Sequence, residues 1–311
     1  MRIIYFGTPA FSASFLQALL ADSFFDVTAL VCQPDEPVGR KKILTAPATK
    51  VLFQKTHPDR PVFQPVKLKD PAFIESLRAL SADACVIVAY GRIIPQMVLD
   101  LPKFGNVNVH PSLLPLWRGP SPMQAAIAHG DAETGVTIML IDAEMDHGPL
   151  LTQTRFALAE HETLSSLTER VTEIGAPLLV TELKKLAAGT TMPQEQDHTQ
   201  ATFCKLLKKE DGIITHERSA EEIDRMIRAY TPWPGVRATF MLQDGSPQEV
   251  KIVDARVTKK SIPAGMIVYE GQNILFGTST TALEIYTLQP ATKSVLQAKD
   301  YIRGYKAVRL A

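Results

Sequence analysis

Apolar residues recur along this chain in two rhythms, one continuous and one periodic. Residues 2–6 form a short, almost wholly apolar run. Gly7-Thr8-Pro9 then turns into a helix whose Phe11, Phe15, Leu16, Leu19 and Leu20 fall on one face. Runs at 27–32 and 84–89 are apolar without alternation, as expected of parallel strands buried on both sides. Val62-Phe63 reads as a further short strand, and 71–80 as a helix with Pro71 near its first position. Residues 106–110 alternate valine with asparagine and histidine, which is the rhythm of a half-polar strand. A helix at 122–129 and late, antiparallel strands at 136–141 and 150–157 complete this half. Strands alternating with helices predict a Rossmann-like α/β domain with a mostly parallel sheet.

The rhythm then changes. Thr163 opens a helix with Leu164, Leu167, Val171 and Ile174 on one face. Pro177 is expected to end it, and a second helix should follow over 178–186. Residues 189–201 have the composition of a linker. Ser219 and Glu222 form a capping box ahead of Ile223, Ile227 and Tyr230. Five short strands at 236–242, 250–257, 265–269, 273–277 and 282–288 suggest a small barrel. The predicted organisation is a catalytic domain over 1–188, a linker over 189–201 and a smaller β domain over 202–311.

Composition narrows the class. The chain has 311 residues, enough for two ordinary domains, and 45% hydrophobic with 21% charged residues is a globular balance. No apolar run approaches the ~18–20 residues of a membrane span. The opening residues read as a strand, not a signal peptide. Cys32, Cys85 and Cys204 fit neither a disulfide framework nor a zinc site, so a reduced, cytoplasmic setting is expected and no metal. Gly7-Thr-Pro-Ala-Phe-Ser lacks the G-x-G-x-x-G fingerprint, which removes the main support for a dinucleotide enzyme. Net charge is zero, yet residues 201–311 hold 16 Lys and Arg against 12 Asp and Glu. A mildly basic C-terminal part is compatible with holding RNA.

The candidate chemistry lies on the half-polar strand. Asn108 and His110 share one face, about two strand rises apart, roughly 6–7 Å. An amide that can donate to an oxyanion beside an imidazole that can move a proton is a pair suited to acyl transfer. Pro111 ends the strand ladder, and three more prolines stiffen the loop that follows. Asp146 supplies a carboxylate after the next apolar run, and a carboxylate near an imidazole favours its charged form.

Asn108-Val-His110-Pro-Ser112-Leu-Leu-Pro115 with Trp117-Arg118-Gly119, followed by Asp146-x-Gly148-Pro149, closely resembles the formyltransferases that use 10-formyltetrahydrofolate. The likeness continues in Phe6-Gly-Thr-Pro-x-Phe11 and in Pro232-Trp233-Pro234-Gly235, so it spans nearly the whole chain. It implies an OB-like β-barrel for the second domain. It also implies transfer of a formyl group from 10-formyltetrahydrofolate to the α-amine of methionine on initiator methionyl-tRNA. Asn108, His110 and Asp146 would be catalytic. Ser112, Leu113, Leu114 and Pro115, with Val88, Tyr90 and Gly91 opposite, would bind the folate. Arg40, Lys41 and Lys42 in one loop and Lys205, Lys208 and Lys209 in the second domain would meet the tRNA. No membrane and no obligate protein partner is implied. Leu116 stands where the family usually has a basic residue. The alternatives are a formyltransferase acting on an amino sugar nucleotide or glycinamide ribonucleotide, a formate-releasing hydrolase, and an inactive RNA-binding module.

Overall fold

The computed structural model describes residues 1–39 and 42–311. The elements of the first half are β1 (Arg2–Gly7), α1 (Ala10–Leu20), β2 (Asp26–Val31), β3 (Glu36–Val38), β4 (Ile43–Thr45), α2 (Ala48–Thr56), β5 (Val62–Phe63), α3 (Pro71–Ala79), β6 (Ala84–Val88), α4 (Gln96–Leu99), β7 (Asn106–His110), α5 (Pro122–His129), β8 (Glu133–Leu140), β9 (Leu150–Ala157) and α6 (Leu164–Ala188). Then come α7 (Ala220–Tyr230), β10 (Val236–Leu242), β11 (Pro247–Val257), β12 (Ile267–Glu270), β13 (Asn273–Gly277), β14 (Ala282–Pro290), β15 (Leu296–Gln297), α8 (Ala298–Gly304) and β16 (Ala307–Leu310).

The chain divides into two compact units. One comprises residues 1–122, 133–157 and 168–204; the other comprises 123–132, 158–167 and 205–311. The first is built on a seven-stranded sheet in the order β5-β2-β1-β6-β7-β8-β9. The strands from β5 to β7 are parallel, and β8 and β9 run antiparallel, as the late apolar runs suggested. Strand order reverses between β1 and β6, so the crevice for a ligand opens at their carboxyl ends. All five residues of β6 are buried, consistent with a run that carries no alternation. Gly7, at the end of β1, has no room for a side chain: a Cβ there would lie 1.9 Å from the Ser12 hydroxyl and 2.8 Å from the Val88 carbonyl.

Two local expectations are revised. α6 is a single helix with Pro177 inside it. Pro177 is exposed, while Val171, Ala176, Leu179 and Leu183 are buried on one face. Burial of that face outweighs the one backbone hydrogen bond that proline removes. Residues 189–204 are also ordered. Leu150 pairs with Gln194 and Arg118 with Phe203 in isolated bridges, which tie this segment to the first unit.

The second unit is a sheet in the order β12-β13-β14-β11-β10-β16. Met266, just before β12, pairs with Arg309 of β16, which nearly closes the sheet into an antiparallel barrel. β15 and β16 add to the five strands expected from the sequence; both are too short to show a period. The Ser219–Glu222 capping box forms, with the Ser219 hydroxyl accepting from Glu222 N at 3.1 Å and the Glu222 carboxylate accepting from Ser219 N at 2.7 Å. Ile223, Met226 and Ile227 of α7 join Phe240, Ile252, Phe276, Ile285 and Tyr301 in the core. Among the described residues, no helix is long and apolar enough to cross a membrane.

Candidate active site

The centre of the site is the end of β7 and the loop after it. Asn108 is half-buried and His110 buried on one face of the strand, while Val107 and Val109 are buried on the other. His110 pairs in register with Thr137 of β8. Thr137 holds the loop down. Its hydroxyl donates to the Ser112 carbonyl at 2.6 Å and accepts from Leu114 N at 3.3 Å and from Gln153 Nε2 at 2.9 Å. Gln153 Nε2 also donates to the Leu114 carbonyl at 2.7 Å. The Ser112 hydroxyl closes the loop internally, donating to the Leu116 carbonyl at 2.6 Å.

This loop fixes the imidazole. His110 Nε2 lies 3.0 Å from the Trp117 carbonyl, and a carbonyl only accepts, so Nε2 carries the proton. Nδ1 then faces Asp146 Oδ1 at 3.7 Å with its lone pair available in the neutral ring. Burial pulls the His110 pKa below the ordinary imidazole value; the Asp146 charge and the bond to Trp117 oppose it without overcoming it. The ring is therefore neutral at neutral pH. Its orientation comes from Trp117, while Asp146 acts through charge.

Asp146 sits at a backbone φ of 50°, left-handed and uncommon for a residue other than glycine. Three contacts hold it there. Its Oδ2 accepts from Gly119 N at 2.7 Å. Its carbonyl and that of Gly148 accept from Gln196 Nε2 at 2.9 and 2.8 Å. Gln196 Oε1 in turn accepts from Arg118 Nη2 at 2.7 Å and Nε at 3.2 Å, and Arg118 Nη2 also donates to His198 Nδ1 at 2.8 Å. Arg118 and Gln196 are both buried. Gly119 has φ 118°, and a Cβ there would come within 2.3 Å of the Cys204 carbonyl.

A buried base beside a carboxylate, on the same strand face as an amide donor, is chemically equipped to deprotonate an amine and steady a developing oxyanion. The formyl transferase family profile matches residues 1–183, and its C-terminal domain profile matches 206–306. The chain belongs to the formyl transferase family. Within it, the chain is 45% identical over 309 residues to the methionyl-tRNA formyltransferase of Roseiflexus sp., spanning 98% of this chain and 93% of that one. It is 39% identical over 306 residues to the methionyl-tRNA formyltransferase of Myxococcus xanthus, spanning 98% and 95%. Solved structures share the fold at lower identity. HypX from Aquifex aeolicus in complex with tetrahydrofolic acid matches with a TM-score of 0.64 at 19% identity, over 98% of this chain and 47% of that one. An N-formyltransferase from Helicobacter canadensis, in complex with folinic acid and dTDP-3-aminofucose, matches with a TM-score of 0.64 at 17% identity, over 91% and 97%.

The structure of this formyl transferase family member places the remaining expected residues unevenly. Ser112, Leu113 and Leu114 are buried, with Leu113 packed against Gly135 of β8, and Pro115 is half-buried. Val88 and Tyr90 are buried, and the Tyr90 ring meets Phe6 edge-on, so their side chains serve the core. Burial pushes the Tyr90 phenol up to about 12. What reaches the crevice there is backbone: Ala89 at φ 47° and Gly91 at φ 84°, with open space where a Gly91 side chain would be. Arg40 and Lys41 lie outside the described residues. Lys42 is exposed between β3 and β4, which pair as a hairpin carrying exposed Val38, Ile43 and Leu44. In the second unit, Lys205 is ion-paired with Asp211, and Lys208 and Lys209 are exposed. Thr137, Gln153, Arg118 and Gln196 carried no assigned role in the sequence. Arg118 lies inside a recognisable motif, but Gln196 lies in a stretch whose composition reads as linker.

Proposed function

We propose that this enzyme transfers the formyl group of 10-formyltetrahydrofolate to the α-amine of methionine on initiator methionyl-tRNA. The observation that carries this reading is the likeness to methionyl-tRNA formyltransferases at 39–45% identity, which runs through the second unit as well as the first. The crevice at the β1–β6 switch point suits a flat, hydrogen-bonding ring, since backbone groups line it and space is open beyond Gly91. The bound donor supplies an activated formyl carbon. Ser112–Pro115 shape the wall of its site, largely through their backbone, and Val88, Tyr90 and Gly91 supply the opposite wall in the same way.

The chain's own residues do the rest. The neutral methionyl amine attacks the formyl carbon, and Asn108 donates to the oxygen on which charge gathers. A donor placed this way is worth about 3 kcal/mol in comparable sites. His110 Nδ1 takes the proton released from the attacking nitrogen. Asp146, at 3.7 Å, steadies the resulting imidazolium. His110 then returns the proton to the departing folate nitrogen, which leaves tetrahydrofolate and the formylated aminoacyl-tRNA. Arg40, Lys41 and Lys42 in the loop, and Lys205, Lys208 and Lys209 in the second unit, are the proposed phosphate contacts.

The test is incubation with radiolabelled 10-formyltetrahydrofolate and a panel of acceptors. Label should enter initiator methionyl-tRNA and not free methionine. A dTDP-linked amino sugar formylated faster than the tRNA would overturn the assignment.

A further inference from the structure

The second unit exposes one large aromatic side chain in cationic surroundings that the chemistry above leaves unused. Trp233 is 55% exposed at the tip of the turn that joins α7 to β10. Lys251 lies across the same turn. Its ammonium donates to the carbonyl of Pro232, the residue before Trp233, at 3.0 Å. Its aliphatic chain runs over Gly235, where a Cβ would meet Lys251 Cε at 2.3 Å and where φ is 75°. Gly235 is thus required twice, by its conformation and by the lysine above it.

Lys251 and Arg237 stand directly opposite each other on β11 and β10. Like charges in that register are destabilising unless an anion lies between them. Burial, together with Arg237, holds the Lys251 ammonium below the usual lysine range. Arg237 has one carboxylate partner, Glu249 at 3.0 Å, and its buried Nε has no partner among the described residues. The short helical turn Lys209–Gly212 abuts the same place: a Cβ on Gly212 would lie 2.0 Å from the Gly235 carbonyl. That brings exposed Lys208 and Lys209 to this surface. Of the two carboxylates in that turn, Asp211 is paired with Lys205 and Glu210 is exposed.

An exposed indole at a turn crossed by Lys251, with Arg237 opposite that lysine, suits an unpaired nucleobase with its phosphates better than it suits an apolar protein face. We infer that Trp233 is a stacking platform for an unpaired base of the RNA substrate, with Lys251 and Arg237 meeting the adjoining phosphates. The inference rests on the tRNA reading above and adds a contact to it. Stacking tolerates any base, so this platform adds affinity and orientation without reading sequence.

The experiment compares the full-length enzyme with Trp233→Phe, Trp233→Leu and Lys251→Gln. Steady-state formylation of initiator methionyl-tRNA should show KM raised about tenfold in Trp233→Leu with kcat nearly unchanged, and within about twofold of the parent in Trp233→Phe. Lys251→Gln should raise KM and flatten the log–log salt dependence by about 0.7–0.9. This second variant keeps the test decisive if Trp233→Leu folds poorly. Indole fluorescence should be quenched by a single-stranded RNA oligonucleotide more than by a fully paired duplex, and the quench should vanish in Trp233→Phe. Equal KM for Trp233→Leu and the parent overturns the platform while leaving the function intact. If the parent fails to formylate tRNA, the functional reading falls, and the oligonucleotide quench alone decides the platform. Self-association that shields Trp233, with no response to RNA, would make the surface a protein interface and overturn the inference.

Discussion

His110 lives among opposed influences: burial favours the neutral ring, and a nearby carboxylate favours the charged one. Burial prevails, so the ring is a free base at neutral pH. Replacing His110 with Ala should lower kcat about a hundredfold or more while KM for tRNA changes little, because the proton transfer proposed for it belongs to the transition state. Asp146→Asn removes the influence that raises the His110 pKa. The acid limb of the pH–rate profile should therefore move to lower pH, and kcat should fall because the imidazolium loses its counter-charge. A limb that stays in place would show that Asp146 does not act on this ring. The same depressed pKa has a sign in stability. The unfolded chain binds the proton first, so this group's stability is present above the ordinary imidazole pKa and is lost as pH falls through the folded value.

At the level of elements, the site depends on two loops pinned from outside. Thr137 and Gln153 secure the loop after β7, and Arg118 and Gln196 secure the loop carrying Asp146. Gln196→Ala would leave a buried guanidinium without its main acceptor and two carbonyls without a donor. A loss on the order of 1–3 kcal/mol in urea unfolding is expected. kcat should fall more than KM rises, because the Asp146 loop relaxes. Melting and kinetics that both match the parent would mean that the relay is dispensable. In α6, Pro177→Ala restores an N–H to a helix already held by its buried face. It should raise stability, by on the order of 1 kcal/mol, without touching activity. Both regions were partly legible. The apolar face of α6 was plain in the sequence, but its persistence through Pro177 depends on the surface that covers it. Thr137 reads as an ordinary strand residue until its partner loop is present.

At the level of the molecule, the division of the chain is not a single cut. Residues 123–132 and 158–167 group with the second unit, while 189–204 group with the first. Gln196, and Thr202, whose hydroxyl accepts from Trp117 N at 2.9 Å, therefore fall beyond residue 188. A fragment of residues 1–204 should bind a folate analogue more tightly than one of residues 1–188, measured by titration calorimetry. Equal affinity would show that the ordered segment contributes nothing to the site. Salt should weaken tRNA binding by the whole enzyme, with each neutralised phosphate contact reducing the log–log slope by about 0.7–0.9.

The sequence by itself determined what depends on local periodicity and on residue type. Continuous apolar runs marked β1, β2 and β6, alternation marked β7, and the capping box marked α7, since each is written within a few neighbouring residues. Asn108 and His110 stood out as an amide and an imidazole on one strand face, Asp146 as a carboxylate after the next apolar run, and their catalytic roles followed from the motif resemblance. Tertiary structure alone decided the rest, because those features join residues distant in the chain. Only the fold shows that Trp117, not Asp146, orients the imidazole. Only the fold turns Val88 and Tyr90 inward and leaves Ala89 and Gly91 exposed beside them. Gln196 becomes part of the site by meeting a carbonyl fifty positions earlier, at Asp146. A hydrogen bond of that reach leaves no period in the sequence, because its geometry exists only once the sheet has set the two loops side by side.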